Sequence, residues 1–324
     1  MNNAPFMLRP AGKDYIWGGS RLNEDFNKKI EISPLAETWE CSTHPDGQSI
    51  VSNTGEKLGD LLKRHPEYLG THAGTIAGGA LPILIKLIDA QQNLSVQVHP
   101  DDEYAQKNEN SLGKTEVWYV LDADSGSELI YGFNQDMNKD CICKALKDGS
   151  IMKYLNHVSV RKNDVFYIEA GTVHAIGAGS LIAEIQESSN ITYRLYDYNR
   201  LGKDGRKREL HIDKALDVAN LHSSSTPRQP MRVLKYKKGI AYELLSRCKY
   251  FQVERMLLNA EESNRVSYST GSNSFHSLLC VDGHGLISWS KDGINFRKGD
   301  CIFIPADSEP LFLTGHAQIL DISC

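Results

Sequence analysis

The sequence predicts a mainly β protein built from two β-barrels with a few decorating helices. Two observations carry this. Apolar residues recur with a period of two in the informative segments, in short runs separated by Gly, Asp and Asn turns, which is the pattern of sandwiches and barrels. A stretch of the first half also recurs in the second, as a duplicated barrel requires.

The alternation sorts side chains by face. In SVQVHP, from 95 to 100, Ser95, Gln97 and His99 point to one side of a strand and Val96 and Val98 to the other. In KTEVWYVL, Lys114, Glu116 and Trp118 share a face opposite Val117, Tyr119 and Leu121. AGTVHAIGAG sets His174 among small residues, where close approach to a bound ion is possible. In LIAEIQ, Ile182, Glu184 and Gln186 share a face of an otherwise apolar strand. Helical periodicity is confined to roughly 56–69, broken by Pro66, to about 138–156, and to 211–221, where Ile212, Ala215, Leu216 and Ala219 share one face.

The composition breaks at HSSSTPRQP, from 222 to 230, where Ser, Thr and Pro replace the apolar periodicity. The expected organisation is therefore a catalytic barrel with helical insertions over 1–222, a linker over 223–235 and a second β domain over 236–324. NDVFYIEAGTVH (163–174) lies without gaps on GDCIFIPADSEP (299–310), and EVWYVLD (116–122) on HSLLCVD (276–282). In that alignment Glu116 falls on His276 and His174 on Pro310, so the second copy lacks two polar groups of the first and the chemistry is expected in the first.

Bulk properties exclude several classes. At 324 residues, 40% hydrophobic and 24% charged, the chain can bury sizeable cores and is not a disordered protein. A net charge of -5 offers no footprint for nucleic acid, though a local basic pocket for a small anion remains compatible with it. The opening MNNAPFMLRPAGKDYIWGG lacks a basic segment followed by an apolar run, and no stretch approaches the length of a membrane span. A cytoplasmic location without membrane partners is expected, and with it reduced, mostly structural thiols for the seven cysteines. Cys141 and Cys143 are one residue apart, without a second Cys or His pair nearby to complete a zinc ribbon.

Two imidazoles and one carboxylate on polar strand faces, His99, Glu116 and His174, satisfy a catalytic zinc site with an open position, and Gln97 can add a carbonyl oxygen. Other divalent ions tolerate the same mixed donors. Taken singly, each residue is better explained as a solvated or hydrogen-bonded strand residue, and only the three together point to a metal.

AETWECSTHPDGQS (36–49), LPILIKLIDAQQNLSVQVHPDDEYA (81–105), GKTEVWYVLDA (113–123), GTVHAIGAG (171–179) and EIQESSNITYRLYDYNR (184–200) resemble, in order, the signature blocks of the type I mannose-6-phosphate isomerases in their short bacterial form. The opening RPAGKDYIWGGSRL is similar to that family's start. The resemblance implies two cupin-type jelly-roll barrels, the second metal-free. It also implies one zinc ion per chain on His99, Glu116 and His174, with Gln97 on a fourth ligand position. Arg194 falls on the catalytic arginine, and Lys114 and Glu184 on positions linked to proton handling or substrate contact. The helical insert around 138–156 is much shorter than in the long members, so substrate contacts made there do not transfer, and the phosphate-binding residues stay unassigned.

The implied reaction interconverts mannose 6-phosphate and fructose 6-phosphate by moving a proton between C1 and C2 through a cis-enediol. It needs an electrophile and a base. A redox-inert cation polarises the sugar oxygens, and a permanently charged arginine, Arg194, stabilises the developing oxyanion unless it is spent on a salt bridge with Asp197. Burial of a carboxylate at Glu184 favours a general base near neutrality, and Lys114 is the competing candidate. Two rival readings use the same residues: an iron oxygenase with a facial triad, and a silent sugar-phosphate-binding module. The expected partner is a small sugar phosphate, and the expected state a monomer or weak homo-oligomer.

Overall fold

The computed structural model describes residues 3–202, 204–224 and 233–324, so most of the expected linker lies outside the described residues. The strands form sheets of ten, six and five. The six-stranded sheet runs Val165–Ile168, Glu116–Ala123, Ser180–Glu187, Ile83–Ala90, Glu37–Cys41, Ala11–Lys13. The five-stranded sheet runs Tyr193–Tyr196, Val96–Val98, His174–Ile176, Glu128–Phe133, Leu155–Ser159. The mainly β expectation holds. Each strand order ends at two edges, however, so the sheets are open layers and not hydrogen-bonded closed barrels.

The layers are glued by distinct apolar clusters. Trp118, Val120 and Ile182 of the six-stranded sheet meet Leu129 and Ile176 of the five-stranded sheet. The other face of the six-stranded sheet, with Val117, Tyr119, Ile85 and Ile185, packs on Leu279, Phe303 and Ile322 of the ten-stranded sheet. Val96 and Val98 face outward to Ile142, Ala145, Ala215 and Leu216 of two covering helices. The ten-stranded sheet encloses an apolar cluster of its own around Met256, Leu278, Ile302 and Ile319. The alternation read from the sequence therefore decides which layer each residue joins.

Helices occupy the expected places: Leu58–Arg64 continued by the 3-10 turn Pro66–Leu69, Lys139–Lys147 followed by Ile151–Tyr154, and Ile212–Val218. The second helical region ends early, because Leu155–Ser159 joins the five-stranded sheet. Two single-turn helices, Arg21–Glu24 and Ala73–Ile76, and one longer helix, Asp102–Glu109, were not foreseen. The N-terminus of Asp102–Glu109 is capped by Asp101, which accepts from Tyr104 N at 2.9 Å, and its C-terminus by Asn110 in the left-handed region. Among the described residues, no helix is long and apolar enough to cross a membrane.

The duplication is visible in the pairing. Ile168 pairs with Glu116 as Ile304 pairs with His276. The turns leading in match as well: Asp164 accepts from Arg161 N at 2.9 Å and Asp300 from Arg297 N at 2.8 Å, with Asn163 at φ 73° and Gly299 at φ 97°. By the same register Asp321, opposite Leu278, stands where Glu184 stands opposite Trp118. The copies share an edge with the N-terminus, since Phe6–Arg9 pairs with Cys301–Ile304, so the ten-stranded sheet draws residues from both sides of the 223–235 segment.

Candidate active site

The site lies between the six- and five-stranded sheets, where two lateral rows of side chains are set by strand register. Across the six-stranded sheet, Trp39 pairs with Lys86, Lys86 with Glu184, Glu184 with Trp118 and Trp118 with Phe166. Across the five-stranded sheet, Arg194 pairs with Gln97, Gln97 with His174 and His174 with Tyr131. Residues directly opposite on neighbouring strands project to the same face, so the rows converge on the gap.

At one end His99, Glu116 and His174 meet, all buried, with their ligand atoms within 4.8 Å of one another. His99 Nε2 is 3.1 Å from His174 Nε2 and 3.3 Å from Glu116 Oε1, and His174 Nε2 is 3.8 Å from Glu116 Oε2. Donors around a tetrahedral zinc with bonds of about 2.0–2.1 Å stand about 3.3 Å apart; the two imidazole nitrogens lie near that spacing, and each faces a different oxygen of the Glu116 carboxylate. His174 Nδ1 sits 2.8 Å from the carbonyl of Thr172, which fixes the proton there and turns the Nε2 lone pair inward. Burial pushes the His99 imidazole down to about 3, helped by the Lys114 charge, and burial also lowers His174, so both rings are neutral as ligands must be. Burial opposes ionisation of Glu116, but Lys114 and the two imidazoles outweigh it and hold its carboxyl well below the usual range. The donor set fits a divalent cation such as zinc.

Lys114 reaches from the cavity wall to this cluster: its ammonium pairs with Glu116 and lies 3.2 Å from His99 Nε2. Glu184 is buried as expected but not bare. Its Oε1 accepts from Lys86 Nζ at 3.0 Å and its Oε2 from Trp118 Nε1 at 2.9 Å. The buried carboxylate is also one half of an ion pair, because register places Lys86 directly opposite. Burial opposes the Lys86 charge, but Glu184, Glu37 and Glu116 raise its pKa above the ordinary lysine range.

Arg194 is not spent on Asp197. That carboxylate is held by Arg200 and Arg208, whereas Arg194 Nη1 donates to the Glu209 carbonyl at 2.8 Å and its Nε is buried without a partner. Gln97 stands between Arg194 and His174 and lines the cavity. That cavity, of about 260 Å³, is walled by Trp17, Lys86, Lys114, Glu184, Arg194 and Arg208 among others. All seven residues singled out in the sequence are therefore brought to one place. Lys86, Glu37 and Arg208 were missed. A single Lys within ILIKLIDA was the available signal for the first.

The family model for the catalytic domain of type I phosphomannose isomerase matches residues 6–130, and that for the mannose-6-phosphate isomerase cupin domain matches 242–323. The chain is 35% identical to mannose-6-phosphate isomerase ManA of Bacillus subtilis, covering 99% of each chain. It is 34% identical to mannose-6-phosphate isomerase of Streptococcus mutans, covering 98% of this chain and 97% of the other. A crystal structure of mannose 6-phosphate isomerase from Bacillus subtilis superposes with a TM-score of 0.90 at 32% identity over 99% of both chains. Fold and site together define a cupin enzyme with a candidate metal centre between its sheets. The chain belongs to the type I mannose-6-phosphate isomerase family and is an aldose-ketose isomerase.

Proposed function

We propose that this isomerase interconverts mannose 6-phosphate and fructose 6-phosphate through a cis-enediol, with one zinc ion held by His99, Glu116 and His174 and with Gln97 as a further oxygen donor. The observation that carries the proposal is the convergence of three buried ligand side chains, with ligand atoms within 4.8 Å of one another, beside a polar cavity. Bound there, zinc supplies a Lewis acid that polarises the C1 and C2 oxygens without redox change. The protein's own groups do the rest. Lys114 and Glu184, both on the cavity wall, handle the proton moving between C1 and C2. Trp118 and Lys86 fix the Glu184 carboxylate through both oxygens. Arg194, with an unused buried donor, stabilises negative charge developing on oxygen. The chemistry belongs to residues 1–222, each half of the chain being read as a jelly roll. The 236–324 copy carries no metal, since its counterpart of Glu116 is His276, bound to Asp321 and Tyr268.

The test is direct. Purified protein given mannose 6-phosphate should form fructose 6-phosphate, lose that activity on chelation and regain it with zinc. Stoichiometric iron with oxygen uptake would replace the proposal by the oxygenase reading.

A further inference from the structure

At the end of the cavity away from the metal cluster, positive charge is left over. Arg194, Arg200 and Arg208 gather there, and the carboxylate they surround is Asp197. Asp197 is bound by Arg208 in a bidentate fork, Nε to Oδ2 at 2.8 Å and Nη2 to Oδ1 at 2.6 Å, and by Arg200 Nη2 at 2.5 Å. Arg194 has no carboxylate within ion-pair distance among the described residues, and the Nε atoms of Arg194 and Arg200 are buried without acceptors. Three guanidiniums against the Asp197 carboxylate and the exposed Glu209 leave positive charge in surplus in a partly desolvated place. Of the two not yet assigned a role, Arg208 lines the cavity.

Its position there is built. The segment from Arg208 to His211 is fastened to the strand Tyr193–Tyr196, because His211 N donates to the Arg194 carbonyl at 2.8 Å and Arg194 Nη1 to the Glu209 carbonyl at 2.8 Å. Asp197 then takes two of the guanidinium's three nitrogens and leaves Nη1. Register puts Arg194 two strands from His174, about 10 Å at strand spacing. A hexose 6-phosphate with C1 and C2 at the cluster has its phosphate at the opposite end of the sugar, which is the arginine end.

We propose that Arg208, oriented by Asp197 beside Arg194, binds the phosphate monoester of the substrate. The inference rests on the isomerase reading, since that is what places a phosphorylated sugar in the cavity. A planar, permanently charged guanidinium is suited to a phosphate dianion, whose charge is opposite to the surplus there. Arg208 is distant from C1 and C2, so it holds ground state and transition state alike, and losing it should weaken binding more than turnover.

The experiment is steady-state kinetics of zinc-loaded Arg208→Ala and Arg208→Lys, with inorganic phosphate as competitive inhibitor. For Arg208→Ala, KM for mannose 6-phosphate and the phosphate inhibition constant should both rise by about 10- to 100-fold, as expected for a charged hydrogen bond lost, with kcat changed by less than about threefold. Arg208→Lys should fall in between. An unchanged KM with unchanged phosphate inhibition overturns the assignment, and so does a fall in kcat at constant KM. A second readout does not need turnover: inorganic phosphate should raise the melting temperature of the wild type and not of Arg208→Ala. If the wild type proves inactive on mannose 6-phosphate while that difference persists, the isomerase reading fails and the anion site stands. If Arg208→Ala does not fold, Arg208→Lys and Asp197→Asn carry the test, because Asp197→Asn releases the fork and should also raise KM. A phosphate response equal to wild type in both of these variants overturns the proposal.

Discussion

Lys86 and Glu184 lie directly opposite on neighbouring strands of the six-stranded sheet, joined at 3.0 Å and almost wholly excluded from solvent. A buried pair of this kind is costly to break from one side, because the remaining charge loses its partner without regaining water. Replacing Lys86 by Met should therefore cost about 3–5 kcal/mol in chemical denaturation. The double variant with Glu184→Gln should recover most of that loss. Additive effects of the two single changes would show that the pair is not coupled.

A second prediction concerns metal retention. Because burial lowers both imidazoles from the ordinary histidine pKa of about 6.5, His99 to about 3, zinc should be retained at pH 5.5, as followed by metal analysis after gel filtration. Release of the metal at that pH would contradict the geometry.

Lys114 and a cation compete for the same lone pairs, since the ammonium already touches Glu116 and His99 Nε2. Substituting Met for Lys114 should tighten zinc binding severalfold in competition with a chelator, while turnover drops by about 10²–10⁴ if the amine handles protons. Weaker zinc binding in the variant would mean that Lys114 supports the ion and does not oppose it.

The second copy offers a test by pH. His276 Nδ1 lies 2.7 Å from Asp321 Oδ1 and 2.8 Å from the Tyr268 hydroxyl, with Glu254 nearby. Burial works against the imidazolium, but Asp321, with Glu254 behind it, raises the His276 pKa. A group raised in the folded state contributes stability that is complete below its unfolded pKa, about 6.5, and is lost as pH climbs through the folded value. The stability gap between wild type and His276→Phe should thus be larger at pH 6 than at pH 9.5. A gap that widens with pH would sink the assignment.

Much of this was legible because one-residue alternation is local. Val96 and Val98 had to face one layer if Gln97 and His99 faced another, and the short match of 163–174 to 299–310 reproduced the actual strand register. What was missed depends on which strands become neighbours. Nothing within ILIKLIDA tells that Lys86 will sit opposite Glu184, so the ion pair could not be read from either strand alone. Arg208 is brought to Asp197 by a loop whose path is set by bonds to Arg194. The helix Asp102–Glu109 was a different miss, since Pro100 and Asp101 followed by Asp102 and Glu103 are local start signals.

That helix leads to the last prediction. Its first residue, Asp102, accepts from Gly113 N at 3.1 Å and from the Tyr250 hydroxyl at 2.7 Å, and it faces the buried Glu187, whose Oε1 accepts from Thr115 N at 2.8 Å. Burial, reinforced by the Asp102 charge, pushes Glu187 up to about 8. In the folded protein Glu187 therefore keeps a proton that the unfolded chain releases near its ordinary value of about 4.3, so folding takes up a proton and stability falls as pH rises through that window. Glu187→Gln keeps the carbonyl acceptor for Thr115 and removes the titration. The variant should match the wild type near pH 4.5 and exceed it by about 1–3 kcal/mol at pH 9 in denaturant unfolding. A wild type that gains on the variant as pH rises would show that the carboxylate is accommodated in its charged form.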